Sequence, residues 1–85
     1  VVIFMDIRHP LKEIDIDMIG LCRDFEIEFL PVLTKSDKVS NNETFKAKQE
    51  VQKKTGVEKV LIISALKNLG IKELRNHLIN YSLHD

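Results

Sequence analysis

Apolar residues fall along the 85-residue chain in short β-favouring runs that alternate with longer amphipathic segments. Val1–Met5 is an uninterrupted apolar run rich in β-branched residues, which is typical of a strand buried on both faces. Ile27–Leu33 and Val57–Ile63 are also rich in β-favouring residues and predict two further strands, although Pro31 argues against full pairing of the first of them. The pattern predicts three strands.

The segment between the first two runs predicts an amphipathic helix over Glu13–Asp24. Its apolar residues recur at helical spacing, so they share one side of the helix while most charged residues lie elsewhere. We expect this stripe to pack on the sheet. Its members are Ile14, Met18, Leu21, Cys22 and Phe25.

Two further helices are predicted from weaker patterns. Asn41 or Asn42 can cap a polar helix that runs to Thr55, and Gly56 suits its carboxyl end. A last helix follows Gly70. The positions expected to face inward are Phe45, Ala47 and Val51 in the first of these helices and Ile71, Leu74, Leu78 and Tyr81 in the second.

Strands that alternate with helices across short connections predict an α/β fold with a parallel sheet and right-handed crossovers. Helices on both faces of that sheet make three layers. At 85 residues the chain is at most one domain, near the size at which a single core becomes marginal. Because the chain starts without Met inside an apolar run, we expect residues 1–85 to be part of a larger domain.

The overall composition argues against some partners. Thirteen Lys and Arg balance thirteen Asp and Glu, so no net field favours nucleic acid or a membrane surface. No apolar run approaches the roughly 20 residues that a membrane span requires. The single cysteine, Cys22, cannot form a disulfide within the chain.

A polar cluster follows each predicted strand. The clusters are Asp6–His9, Thr34–Asp37 and Ser64–Lys67. Ligands of open parallel sheets bind beyond the carboxyl ends of the strands, so we expect the three clusters to meet in one site.

The chemistry of the second and third clusters suits a guanine base. The Asp37 carboxylate offers two acceptor oxygens side by side, and guanine presents two donors at that spacing, its ring N–H and its exocyclic amine. Adenine has an acceptor in place of the ring N–H. The methylene stem of Lys35 can lie across the flat base. The backbone N–H of Ala65 can meet the guanine carbonyl oxygen, because Ser64 and Ala65 are small.

Together, the segments Met5–Leu11, Leu33–Lys38 and Ser64–Lys67 resemble the EngB (YihA/YsxC) family of bacterial GTP-binding proteins. The Asp-x-Arg-His-Pro sequence that begins at Asp6 separates this family from other Ras-like GTPases. The resemblance runs over essentially the whole chain, but it covers only the carboxyl-terminal half or so of the family's domain.

The resemblance implies a doubly wound P-loop GTPase fold of which residues 1–85 are a part, with the phosphate-binding half absent. It implies GTP or GDP as ligand, a role in assembling the large ribosomal subunit, a link to cell division and septation, and a cytoplasmic location. The site residues that it implies are Thr34, Lys35 and Asp37 in the guanine-specificity box and Ile63, Ser64 and Ala65 in the last base-contacting box.

Hydrolysis of GTP needs a phosphate cradle, a lysine on the phosphates, Mg²⁺ and a positioned water. The chain has three glycines and no G-x-x-x-x-G-K-[ST] sequence, so we expect these parts, including the Mg²⁺ ligands, to lie outside it. His9, His77 and His84 are interpreted as loop or solvent-facing residues and not as catalytic groups.

Two other interpretations stay open. Asp6, Thr34 and Lys67 at successive strand ends are also the residue types of a response-regulator receiver, although a receiver needs an acidic pair after an earlier strand. The second alternative is that the chain is a non-catalytic α/β interaction module. In the family's strand order, Val1–Met5 pairs with the absent P-loop strand, so this strand has an open edge and the isolated chain is expected to self-associate through it.

Overall fold

The computed structural model describes residues 1–83, and the side chains of residues 1–79. Within them, three strands form one parallel sheet in the order β1-β2-β3. The strands are β1 (Val2–Asp6), β2 (Leu30–Thr34) and β3 (Leu61–Ile62), and the helices are α1 (Glu13–Asp24), α2 (Asn41–Thr55) and α3 (Ile71–Leu83). A short 3-10 helix spans Ser36–Lys38. The predicted order of strands and helices is confirmed.

The sheet packs helices on both of its faces, which confirms the three-layer α/β architecture. On one face, α1 and α2 cover a cluster formed by Ile3, Met5, Ile7, Ile19, Cys22, Leu33, Ala47, Val51 and Val60. On the other face, Ile71 and Leu74 of α3 pack against Leu30, Val32, Leu61 and Ile63. The middle strand β2 contributes to both clusters, and Val32 and Leu33 are fully buried.

Two strands are shorter than predicted. Strand β2 starts at Leu30 because the backbone first leaves α1 through Glu26, which has a left-handed φ of 53°, and Ile27 N–H still donates to Cys22 O of the helix. Strand β3 pairs with β2 only at Leu61 and Ile62. Pro31 lies just before this pairing and has no N–H to offer it.

The stripe expected to anchor α1 is exposed, and this prediction was wrong for all of its residues except Cys22. Ile14 is 69% and Phe25 71% exposed, and Met18 and Leu21 are also exposed, whereas Ile19 and Cys22 are buried against the sheet. Helix α1 carries apolar residues on more than one side, so its periodicity alone does not select a face. The side of α1 that faces the sheet is decided by the connections that place the helix over β1.

Three other apolar side chains are more exposed than predicted. Phe4 is 54% exposed, so β1 is not buried on both faces, and Phe45 and Leu78 are 61% and 46% exposed. Phe4 points away from the α1–α2 layer, because neighbouring strand residues alternate between faces. The side chain of Tyr81 and residue His84 lie outside the described residues.

The ends of α2 combine a confirmed signal with a missed one. Gly56 closes the helix in a left-handed conformation, with φ 72°, and donates its N–H to Gln52 O, as predicted. The amino-terminal cap is Ser40 and not Asn41 or Asn42. Ser40 Oγ accepts from Glu43 N–H at 3.1 Å, and Glu43 Oε1 lies 3.4 Å from Ser40 N. This capping box was present in the sequence as Ser40-x-x-Glu43.

Candidate functional site

The three polar clusters meet at the carboxyl edge of the sheet, around a cavity of about 550 Å³. Its walls come from the ends of all three strands. The lining residues are Arg8, Thr34, Lys35, Asp37, Lys38, Ile63, Ala65 and Leu66. Five of the six predicted site residues therefore line one cavity, and Ser64, the sixth, supports its wall from behind.

Backbone hydrogen bonds hold the three strand ends in register. Ile7 N–H donates to Thr34 O at 3.0 Å, and Ile63 N–H donates to Leu33 O at 2.9 Å. Ser36 N–H donates to Ile63 O at 3.2 Å, so the segment after β2 is tied to the segment after β3. The Thr34 hydroxyl donates to Met5 O at 3.4 Å, which makes Thr34 a link between β1 and β2.

The turn after β2 sets the direction of the Lys35 and Asp37 side chains. Lys35 has a left-handed backbone, with φ 61° and ψ 38°, and its carbonyl accepts from Lys38 N–H at 3.0 Å. A left-handed conformation costs a residue with a Cβ roughly 1–2 kcal/mol, so the surrounding contacts must hold it. The turn continues into the short 3-10 helix over Ser36–Lys38.

Ser64 holds the carboxylate of Asp37 in place. Ser64 Oγ donates to Asp37 Oδ1 at 2.7 Å and accepts from Lys67 N–H at 3.2 Å, and Ser64 itself is fully buried. The Asp37 side chain is only 7% exposed. The hydrogen bond from Ser64 is the main reason that the pKa of Asp37 lies below its usual value. The carboxylate is therefore ionised at neutral pH and acts as an acceptor only.

Ala65 follows Ser64 on the exposed rim of the cavity. Among the residues that the structure describes, none accepts a hydrogen bond from the Ala65 N–H. The rim thus offers a backbone donor in the same cavity as the acceptor oxygens of Asp37. A planar ligand that carries two adjacent donors and a neighbouring carbonyl, as guanine does, matches this set of groups.

A group of three charges lies on the β1 side of the cavity, where Arg8 and Lys35 line it and Asp6 pairs with both. Arg8 Nε and Nη2 donate to the two oxygens of Asp6 at 3.1 and 2.9 Å, and Lys35 Nζ lies 3.7 Å from Asp6 Oδ2. These hydrogen bonds from Arg8 hold the pKa of Asp6 well below its usual range. The Asp6–Arg8 ion pair was not predicted, and the spacing of two residues between opposite charges was the available sequence signal.

The described residues also set limits on the chemistry of this cavity. They contain no group of three or more His, Cys, Asp or Glu arranged to hold a metal ion. His77 lines a mostly apolar hollow of about 350 Å³ at the opposite edge of the sheet and is half-buried there, so it is less exposed than predicted. Among the helices that the structure describes, none is both long and apolar enough to cross a membrane.

Comparisons with known proteins agree with the geometry. Residues 3–80 match the family model described as "PduV-EutP: Ethanolamine utilisation - propanediol utilisation". The "Probable GTP-binding protein EngB" of Shewanella sediminis is 44% identical over 73 residues, which are 81% of this chain and 33% of that protein. The proteins of the same name from Aeromonas salmonicida and Kosmotoga olearia are 36% and 39% identical over 96% and 93% of the chain.

The chain spans 33%, 40% and 43% of the length of these three relatives. The matched segments extend over most of the present residues. The relatives are named as GTP-binding proteins, and the parallel sheet of this chain, with helices between its strands, fits a P-loop GTPase-like fold. The chain therefore belongs to the EngB family, and its residues 3–80 also fit the PduV-EutP family model.

Proposed function

We propose that the cavity at the carboxyl edge of the sheet binds the guanine base of GTP or GDP. The observation that carries this proposal is the Asp37 carboxylate, held by Ser64 Oγ at 2.7 Å in the cavity wall. Each carboxylate oxygen can accept more than one hydrogen bond, so Asp37 can serve Ser64 and the base together. The stem of Lys35 covers one face of the base, and Ala65 N–H donates to its carbonyl oxygen.

The remaining predicted residues have supporting roles. Thr34 joins the ends of β1 and β2, and Ile63 forms the apolar floor while its backbone holds the turn after β2. The proposal places all six residues in one site: Thr34, Lys35, Asp37, Ile63, Ser64 and Ala65.

A competition experiment tests base selection in the intact protein, meaning the full-length gene product that carries these residues. A fluorescent GDP analogue is displaced with GDP, ADP and xanthosine diphosphate. We expect GDP to compete at concentrations at least a hundredfold lower than ADP, because adenine leaves the Asp37 acceptors unpaired. Equal competition by GDP and ADP would contradict the proposal.

We further propose that these residues are the guanine-recognition part of a larger GTPase domain. The support is the chain's coverage of a third to two-fifths of its relatives and the exposure of Phe4, Ile14 and Phe25, which suit a buried interface. In that arrangement, the phosphate-binding loop and the Mg²⁺ ligands lie in the rest of the domain. Turnover of GTP by the intact protein, with loss of turnover on chelation of Mg²⁺, tests this arrangement.

The family resemblance supports a biological proposal as well. The intact protein assists assembly of the large ribosomal subunit in the cytoplasm, and its loss impairs division and septation. Sucrose-gradient sedimentation of extracts tests this role. Depletion of the protein should reduce mature large subunits and leave incomplete particles, whereas an unchanged ribosome profile would oppose the role.

A receiver domain is not supported, because the Asp6 carboxylate that would accept a phosphoryl group is occupied by the Arg8 fork. A non-catalytic interaction module is the second candidate function. Among the described residues β1 has one open edge, and this edge favours the second candidate for the isolated 85 residues, which we propose associate with a second copy through it.

A further inference from the structure

Arg8 lines the cavity and pairs with Asp6, and neither residue takes part in the proposed contacts with guanine. Asp6 accepts three hydrogen bonds from Arg8: Nε at 3.1 Å, Nη2 at 2.9 Å and the backbone N–H at 2.9 Å. One oxygen of the same carboxylate also lies 3.7 Å from Lys35 Nζ. Asp6 is the common partner of two cations from different strand ends.

This arrangement differs from an ordinary surface ion pair. A single exposed pair between flexible side chains contributes little, because ordering both chains offsets most of their attraction. Here the guanidinium fork and the backbone N–H fix the carboxylate, and its side chain is 21% exposed. Lys35 then meets an acceptor that is already ordered, so only the lysine has to lose freedom.

We propose that Asp6 and Arg8 are positioning residues that hold the Lys35 side chain across the guanine pocket. The inference rests on the proposed guanine function of that pocket. The Lys35 side chain is 58% exposed, and its ammonium pairs with Asp6. The carboxylate of Asp6 attracts the Lys35 ammonium toward β1, which leaves the methylene stem of Lys35 over the base. The entropic cost of ordering the Lys35 side chain is therefore met before the nucleotide binds.

Charge and positioning predict opposite results when Asp6 is neutralised. Removing a negative charge beside a nucleotide site raises the local positive potential, which favours the phosphates. On electrostatics alone, Asp6→Asn tightens binding, and most strongly for the nucleotide with the most phosphates. On positioning, Asp6→Asn weakens binding because Lys35 becomes disordered, and the factor is the same for GMP, GDP and GTP.

The test measures dissociation constants of GMP, GDP and GTP for the intact protein and its variants. We expect Asp6→Asn to weaken all three by a similar factor of roughly three to ten, the cost of immobilising one long side chain on binding. Asp17→Asn is the matched control, because it removes the same charge from an exposed position on α1. It should leave the affinities within about twofold.

A double-mutant cycle assigns the effect to Lys35. In a Lys35→Met background the ammonium is gone, so Asp6→Asn should cause no further loss.

Arg8→Lys keeps the charge but removes the fork, and we expect it to reproduce much of the Asp6→Asn effect. The control for that substitution is Arg75→Lys on the exposed surface of α3. If Asp6→Asn lowers the unfolding midpoint of the protein, Arg8→Lys takes its place in the double-mutant cycle with Lys35→Met.

Tighter binding by Asp6→Asn, additive losses in the cycle, or a loss that grows with the number of phosphates would overturn the inference. Its failure is separate from failure of the proposed function. If the wild-type protein prefers GDP to ADP while the cycle is additive, only the positioning role is lost. If the wild-type protein does not distinguish these nucleotides, the guanine site itself is wrong.

Discussion

Lys35 combines a strained backbone with a side chain at the cavity. Its φ of 61° is unfavourable for any residue with a Cβ, whereas glycine adopts it at little cost. The turn keeps this conformation because the Lys35 carbonyl accepts from Lys38 N–H and Ser36 N–H reaches Ile63 O. The strain is therefore maintained at the place where the side chain has a proposed task.

Lys35→Gly should raise stability while it weakens nucleotide binding. Relief of the left-handed strain is worth up to about 1 kcal/mol after the greater freedom of unfolded glycine is subtracted. Denaturant unfolding of the intact protein measures this change. Lys38→Gly is the matched control, because Lys38 is an exposed neighbour without positive φ, and it should lower the free energy of unfolding. A loss of stability in Lys35→Gly would contradict the strain argument.

Asp37→Asn should change the base preference of the intact protein from guanine to xanthine. An amide offers one donor and one acceptor, which mismatches the two donors of guanine but suits the additional carbonyl of xanthine. We expect GTP affinity to fall by roughly one to two orders of magnitude, as for other charge-assisted hydrogen bonds. Competition with GTP and xanthosine triphosphate measures it, and unchanged GTP affinity would remove Asp37 from the site.

At the scale of elements, Gly70 joins the cavity-bearing loop to α3 through a close backbone approach. Its φ is 72°, and a Cβ at this position would fall on the carbonyl oxygen of Ile62 in β3. The helix can begin at Ile71 only if this glycine passes the strand closely. A Cβ at Gly20, in the middle of α1, would meet nothing within 4 Å outside the backbone of its own helix, so Gly20 has no such constraint.

The two glycines should therefore respond in opposite directions to alanine. Gly70→Ala should destabilise the protein by at least about 2 kcal/mol, because it combines a left-handed φ with a backbone clash. Gly20→Ala should stabilise it by up to about 1 kcal/mol through helix propensity. Thermal and denaturant unfolding of both variants measure these changes, and equal effects would contradict the geometry at Gly70.

The edge of β1 is the second feature at this scale. Within the described residues β1 pairs only with β2, and Phe4 on it is 54% exposed. Lysine on an edge strand discourages pairing with another chain. We expect Phe4→Lys to reduce self-association of the isolated chain in sedimentation experiments, whereas Phe45→Lys, at a similarly exposed phenylalanine on α2, should not.

Phe4 is a better probe of this edge than Ile3, because Ile3 is 6% exposed and belongs to the core cluster. A lysine at Ile3 would unfold the strand and confuse the result. A wild-type chain that sediments as a stable monomer at high concentration would defeat the edge proposal.

At the scale of the whole molecule, helix α1 leaves an apolar stripe uncovered among the described residues. Four large apolar side chains of this stripe lie in solvent: Ile14, Met18, Leu21 and Phe25. Patches of this kind usually mark an interface. The proposal that residues 1–85 are part of a larger domain accounts for them together with the limited coverage of the relatives.

The isolated residues 1–85 should neither hydrolyse GTP nor bind it tightly. Base contacts provide specificity, whereas backbone amides and Mg²⁺ around the phosphates provide most of the affinity in this class of protein. Calorimetry with the isolated chain should therefore detect no submicromolar GTP binding, with the intact protein as positive control. Stoichiometric submicromolar binding by the isolated chain would contradict this division of roles.

The sequence alone determined the order of the elements, the limits of α1 and the end of α2 at Gly56. It also indicated which strand ends carry the cavity-lining residues. These features depend on local signals, namely apolar periodicity, turn residues and helix caps, which act over a few neighbouring positions. The topology of a parallel sheet then brings the strand ends to one edge, so the candidate site was within reach of sequence reasoning.

Only the tertiary structure decided which side of α1 meets the sheet, that Phe4 is exposed, and that β2 and β3 are shortened. It also revealed the hydrogen bond from Ser64 to Asp37, which joins residues 27 positions apart, and the contact of Lys35 with Asp6. The physical reason is that these outcomes depend on which elements cover one another. Where a helix has two apolar sides, or a carboxylate has several cations within reach, packing across the sheet makes the choice.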